Sequence, residues 1–291
     1  MQAGAVIPLF PLGTPLFPGV VLPLRIFEPR YRRLMRDLLV QRAEERTPGF
    51  FGVVAIRQGW EVERVAPAEA LYDIGCTARL QSVRPLSDGG FHISTVGGDR
   101  FRLLDVLVAD DPPYLQAEVE WLAEEEAAEE AAGDAEGIVG LPGEVPLAPP
   151  DEAAAAGLDE LVDSVARGSM DVLVRNVGDL FARYVAAVGA LRVGDGEEVA
   201  EAGDRPVPPS SDAESAALMA AVGDDPTALS YLVASAALLT TEDRQALLAE
   251  SATRRRLATE SRLLRRELTL LETIGAVPAP LQRFAGPTSV N

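Results

Sequence analysis

The sequence predicts an α+β protein: a β barrel or sandwich with one embedded helix, followed by a helical bundle with a long C-terminal helix. Three observations predict it. Short strand-like runs punctuated by glycine fill residues 6–122, the pattern of a compact barrel or sandwich. Composition then narrows to Ala, Glu, Asp, Gly and Pro over residues 123–157, as in a flexible acidic insertion. Apolar residues return at helical spacing over residues 158–276, where the moment of one face sets the period. The expected organisation is a β unit over 1–122, an insertion over 123–157, a helical unit over 158–276 with a low-complexity loop at 194–212, and a loose tail over 277–291.

Val6–Phe10 is a short apolar run, and the turn Pro11–Pro15 comes directly after it, because Pro fixes φ and Gly permits positive φ. Leu16–Phe27 reads as a second extended run whose prolines suit edges, strand starts and bulges. Glu28-Pro29 opens a helix, with Pro at the first helical position and an acid at the positive end of the dipole. Tyr31, Leu34, Met35, Leu38 and Leu39 form its apolar stripe. Strands are expected at Phe50–Arg57, Ile74–Val83, Phe91–Val96, Phe101–Val108 and Tyr114–Leu122, separated by Gln58-Gly59, Asp88-Gly89-Gly90 and Gly97-Gly98. Helices are expected from about Leu158 to Leu191, over Ala213–Val222 and over Pro226–Leu239. Thr240 with Asp243 resembles a capping box with Asp in place of Glu. A long helix should run from there to Ile274 and stop at Gly275.

Charge is distributed unevenly. The formal net charge is −19, yet residues 1–104 carry 13 Arg against 10 acids, residues 105–217 carry 5 against 27, and residues 218–291 carry 8 against 8. Such a block is usually a solvated face. Every basic side chain is Arg, so an amine nucleophile, a Schiff base and a P-loop lysine are excluded. One cysteine, Cys76, excludes an intramolecular disulfide framework and a multi-cysteine zinc site. The N-terminus lacks a basic region, and Pro8, Pro11, Pro15, Pro18 and Pro23 interrupt the first apolar stretch, unlike a signal peptide. No run nears the ~18 apolar residues of a membrane span. A soluble, cytoplasmic protein is expected.

The opening Ile7–Leu24 (IPLFPLGTPLFPGVVLPL) resembles the start of the Lon protease N-terminal, substrate-binding domain. Ile26–Tyr31 resembles its continuation in stand-alone members. Asp73-Ile-Gly-Cys76, Gly97-Gly-Asp-Arg-Phe101 and Pro113–Glu120 resemble later marks of the same β domain, and Asp224-Asp-Pro226, Leu247-Leu248 and the arginine-rich helix resemble its helical part. The resemblance implies a PUA-like β subdomain followed by a helical bundle, in a stand-alone form. It implies a protein- or peptide-binding role, with unfolded or exposed peptide segments of client proteins as partners and a protease or chaperone as collaborator. ATP hydrolysis and proteolysis do not carry over, because the sequence has no G-x-x-x-x-G-K-[ST] and no Lys for a Ser–Lys dyad. RNA binding through the PUA-like part is the alternative; the net charge disfavours it, since backbone-driven affinity requires neutralising phosphates. No cofactor and no metal are expected.

The expected peptide site is a hydrophobic groove where the β part meets the helices. The side chains selected as contacts are Phe17, Phe27, Glu28, Arg30 and Tyr31. Phe17-Pro18-Gly19 has two readings, a chain-turning corner and an exposed aromatic at a groove. Arg30 has two as well, an internal carboxylate pair and a grip on a ligand. His92 reads as an ordinary strand residue and Cys76 as a small buried one, because neither has a visible activating partner. Glu124–Glu126, Glu129 and Glu130 read as a solvated linker, and Arg254, Arg255, Arg256, Arg262, Arg265 and Arg266 as a solvated helix face.

Overall fold

Residues 5–45, 49–57, 70–124, 152–194 and 225–274 are described by the computed structural model. In chain order they form β1 (Ala5–Leu12), β2 (Val21–Ile26), α1 (Pro29–Glu45), β3 (Phe50–Ile56), β4 (Leu71–Pro85), β5 (Phe91–Leu107), β6 (Gln116–Leu122), α2 (Glu152–Gly194), α3 (Pro226–Ala236), α4 (Thr241–Ala249) and α5 (Thr253–Ile274). The α+β class is therefore as expected. The helix expected over Ala213–Val222 lies outside the described residues.

Strand order is β2-β5-β4-β3-β1-β6, with β5 also paired to β6. The first half of β5 pairs with β2 and its second half with β6. This closes β6-β1-β3-β4-β5 into a barrel and leaves β2 as an edge. Pro23 sits on that edge strand, where a missing ladder donor costs least. Pro8 lies in the half of β1 that pairs only with β6, and Pro11 in the half that pairs with β3 in parallel.

There are three apolar clusters, two of which arise from the strand period of two. Ile7, Leu9, Val54, Phe101, Ala117 and Val119 point into the barrel. Phe10, Phe51, Val53, Cys76, Ala78 and Leu80 point outward, and Tyr31, Leu34, Met35 and Leu38 of α1 cover them. That outer cluster continues into Tyr231 and Ala234 of α3 and Leu247 and Leu248 of α4. A third cluster joins Val177, Phe181 and Tyr184 of α2 to Leu229 and Val233 of α3 and Leu257, Leu264 and Leu268 of α5. Strand β3 is buried on both faces, which is why FGVVAI shows no alternation.

Three expectations about elements need correction. Of the extended run Leu16–Phe27, only Val21–Ile26 is strand. Residues 91–107 are one strand, not two, and Gly97-Gly98 lies inside it. The expected single helix from Thr240 is two helices separated at Glu250–Ala252. The break has a tertiary cause. Arg100 of β5 donates to Leu248 O at 2.9 Å and Glu250 O at 3.1 Å, carbonyls that a continuous helix would satisfy itself. The Glu250 carboxylate accepts from Ala252 N at 2.9 Å and so starts α5. Thr240 does cap α4, accepting from Asp243 N at 3.1 Å.

Candidate functional site

The corner Phe17-Pro18-Gly19 is laid across β5. Gly19 N donates to Gly97 O and Gly97 N to Val20 O, both at 2.9 Å. A Cβ on Gly97 would lie 1.9 Å from Phe17 O, so only glycine admits the corner there. Gly19 itself has φ of +74°, a conformation that favours glycine. Two short motifs far apart in the sequence are thus one contact.

Arg100, three residues beyond Gly97, leaves the barrel and enters the helices. It is 2% exposed. Besides the carbonyls at the α4–α5 break, it pairs with Glu124 at 2.8 Å and donates to Ala123 O at 3.2 Å. The second oxygen of Glu124 meets Arg256 of α5 at 3.0 Å. Arg256 is fully buried, donates to Ser230 Oγ at 2.7 Å and lies 4.0 Å over the Tyr231 ring. Tyr231 OH donates to Glu124, and burial pushes the pKa of its phenol upward. One carboxylate therefore joins two guanidinium groups and a phenol across the barrel–bundle junction. Charge-assisted bonds of this kind fix orientation strongly.

Beside this clamp lies an open cleft of about 410 Å³ whose walls include Pro18, Gly19, Asp99, Leu122, Thr227 and Tyr231. It sits where the corner, the end of β6 and the start of α3 converge. Asp225 caps α3, accepting from Thr227 N and Ala228 N at 3.0 Å each, so that helix terminus is already satisfied.

The five selected contact residues are dispersed. Phe17 is fully buried, 6.2 Å from Tyr231 and 5.7 Å from the Arg244 guanidinium. It serves as a core side chain behind the cleft and not as an exposed aromatic. Tyr31 is buried and stacks on Phe10 at 4.0 Å. Glu28 and Arg30 pair with each other at 2.8 Å, and Arg30 lies 4.6 Å over Tyr31. Phe27 is 54% exposed. The structure thus joins Glu28, Arg30 and Tyr31 at the start of α1, buries Phe17 at the junction, and leaves Phe27 in solvent.

Reading the sequence missed Arg100, Glu124, Tyr231 and Arg256. Arg256 belongs to the run expected on a solvated helix face, but it is buried while Arg255, Arg262, Arg265 and Arg266 are exposed. Glu124, expected in a solvated linker, holds the clamp. The signal that could have found Arg256 is its spacing from Leu257, Glu260, Leu264 and Leu268, all buried on α5. Cys76 is fully buried, and burial pushes its thiol up to about 12, so it is no nucleophile at neutral pH. Among the described residues no group of three His, Cys, Asp or Glu side chains is placed to hold a metal ion. No described helix is long and apolar enough to cross a membrane.

A barrel welded to a helical bundle through buried arginines, with an open cleft at the seam, defines the class. The chain belongs to the family of the ATP-dependent protease La (LON) substrate-binding domain, whose model matches residues 6–266. It is 25% identical over 272 residues to Lon protease 1 of Herpetosiphon aurantiacus, covering 92% of this chain and 25% of that protein. It is 33% identical over 110 residues to Lon protease 2 of Syntrophobacter fumaroxidans, covering 38% of this chain and 13% of that protein. The match therefore spans a quarter or less of these relatives. Among solved structures, a Lon N-terminal domain protein from Xanthomonas campestris matches with TM-score 0.45 and 19% identity, covering 90% of this chain and 98% of that one. The N-terminal domain of Mycobacterium avium complex Lon protease matches with TM-score 0.46 and 15% identity, covering 90% and 98%.

Proposed function

We propose that this chain is a non-catalytic recognition module that binds unfolded or exposed peptide segments of client proteins at the barrel–bundle cleft. The observation that carries the reading is the family match over residues 6–266, which is to a substrate-binding domain. The cleft suits the role: it is concave, lies at a subdomain junction as ligand sites do, and offers the apolar surfaces of Pro18, Leu122 and Tyr231 beside the polar rim of Asp99 and Thr227. The clamp keeps both walls in place, so little order must be acquired on binding. Phe27 is exposed past the end of β2 remote from the corner, where a client segment extending out of the cleft along β2 would meet it as a secondary contact. A protease or chaperone that consumes the captured client is the collaborator this reading requires. These 291 residues hold no Lys and no Walker A motif, so neither a Ser–Lys dyad nor a P-loop forms within them.

Fluorescence anisotropy with a library of labelled unfolded peptides tests this. Saturable binding is expected for a subset. Ala123→Trp and Ala228→Trp, one just past β6 and one on α3, both lining the cleft, should each weaken binding by roughly tenfold, about 1.4 kcal/mol, with an unchanged melting temperature as the folding control. Phe27→Ala should weaken it less. Absence of saturable binding across the library counts against the proposal, as does ATP hydrolysis or casein degradation proportional to the concentration of pure protein.

A further inference from the structure

A second polar feature lies on the outer face of the sheet, away from the cleft. Arg25 of β2 pairs in register with His92 of β5, and His92 pairs in register with Arg84 of β4. The three side chains form one transverse row, and all three are exposed. Two strand spacings put the flanking arginine backbones about 10 Å apart. Arg84 Nη2 lies 3.3 Å from His92 Nδ1. Arginine can only donate, so Nδ1 is the acceptor in this contact. The local carboxylate is Asp88, in the β4–β5 turn. It meets Arg25 at 3.3 Å, with about half of each side chain exposed (51% and 45%), and accepts from Gly90 N at 2.8 Å. Arg84 has the imidazole as its partner and, among the described residues, no carboxylate. Arg32 of α1 reaches the same turn, 3.5 Å from the Cβ position of Gly89, and its Nε is buried without a hydrogen-bond partner. Asp88 thus answers Arg25, with Arg32 beside the turn, and leaves Arg84 without a carboxylate among the described residues, in a chain of net charge −19.

We infer that the Arg25–His92–Arg84 row is a docking site for an acidic polypeptide segment, whose carboxylates bridge the two guanidinium groups over the imidazole. The Asp88–Arg25 contact shows a carboxylate seated on one guanidinium of the row with about half of each side chain exposed. Carboxylates at alternate positions of an extended segment lie about 7 Å apart, within reach of two flexible arginine side chains set this far apart. The adjacent row is Ser82 and Ser94, so the positive surface is one row deep. Phosphate polymers gain affinity by neutralising charges along a track, and a single row offers them only a few contacts. The geometry therefore favours a short acidic segment over nucleic acid. The site is separate from the cleft, and the inference does not rest on the cleft reading.

The whole chain carries one histidine, so its imidazole NMR signals are assigned without ambiguity. Titration of the full chain with hexaglutamate at low salt should move these signals saturably. Arg25→Gln and Arg84→Gln, both at exposed positions, should each weaken that binding by roughly tenfold, as loss of a charge-assisted contact does. Raising the salt to physiological strength should weaken it further. Ala228→Trp should leave it unchanged, which separates this site from the cleft. The inference is overturned if millimolar hexaglutamate leaves the His92 signals in place, if both glutamine variants bind it as the native chain does, or if oligouridylate moves the signals and hexaglutamate does not.

Discussion

Glu124 carries more consequence than any other single side chain at the junction. Its two oxygens hold Arg100 and Arg256, both buried to within 2% of full burial. Removing one partner of a buried ion pair strands the other charge. Glu124→Gln should therefore destabilise the protein by roughly 3 kcal/mol, the low end for such losses because 34% of the Glu124 side chain remains accessible. Urea unfolding at neutral pH measures it. Glu260 of α5 presents the opposite case. It is 1% exposed, both carboxylate oxygens lack a hydrogen-bond partner, and burial raises its pKa well above the ordinary value, against a smaller opposing effect of Arg256. A carboxyl raised in the folded state is more easily ionised once unfolded. The penalty is absent below the unfolded pKa and grows as pH rises toward the folded one. Glu260→Gln should raise stability at pH 7 by an amount on the order of 1 kcal/mol, and the gain should vanish near pH 4, the ordinary carboxyl range. An equal gain at both pH values would show that titration is not its source.

At the scale of elements, glycines set how closely the barrel's parts approach. Cβ atoms on Gly52 and Gly75 would lie 2.8 Å and 2.3 Å from the Phe101 ring, so β3 and β4 leave a slot that the aromatic fills. Gly75→Ala should cost roughly 3 kcal/mol, the upper end for overpacking. Combining it with Phe101→Leu should cost less than the sum of the two single changes, because the smaller side chain relieves the ring contact and leaves only the approach to Val53 O at 2.6 Å. Additive losses in thermal unfolding would refute this account of the slot. The same reasoning explains which glycines were legible. Asp88-Gly89-Gly90 marks a real turn, with Gly89 at φ +77°. Gly97-Gly98 has the same composition but lies within a strand, because the Phe17 carbonyl and Arg79 occupy the space their side chains would take. A glycine pair in sequence does not distinguish a chain reversal from a close approach.

For the whole molecule, the outer apolar cluster runs without interruption from α1 across the sheet to α3 and α4, and the clamp crosses the same boundary. Barrel and helices should unfold as one cooperative unit. Trp121 of β6 lies 6.5 Å from Phe101 and, in a Trp60→Phe background that leaves it as the single tryptophan, reports on the barrel by fluorescence, while helical circular dichroism reports on the bundle. The two denaturant transitions should coincide in the native chain. Arg256→Ala, which strands Glu124 and empties a fully buried position, should cost about 3–5 kcal/mol and separate them, with helicity lost first. Transitions already separate in the native chain would show that the junction couples weakly.

Local chemistry determined a good deal from the sequence alone. The stripe of α1, the Thr240 cap, the edge prolines and the alternation of the barrel strands all depend on neighbours within a few residues, and a linear reading recovers such neighbours. The strand and helix types and the α+β class derive from them, and the Phe17-Pro18-Gly19 corner with its companion motifs was visible as a family pattern. Tertiary structure alone decided that Arg256 faces inward, that Glu124 is a clamp and not linker, that β5 runs through its glycines, and that the last helix breaks at Glu250. Each of these depends on a partner more than a hundred residues away or on a volume already filled by another segment. A buried charge and a solvated one have the same side chain, and only the folded neighbourhood determines which partner makes burial tolerable.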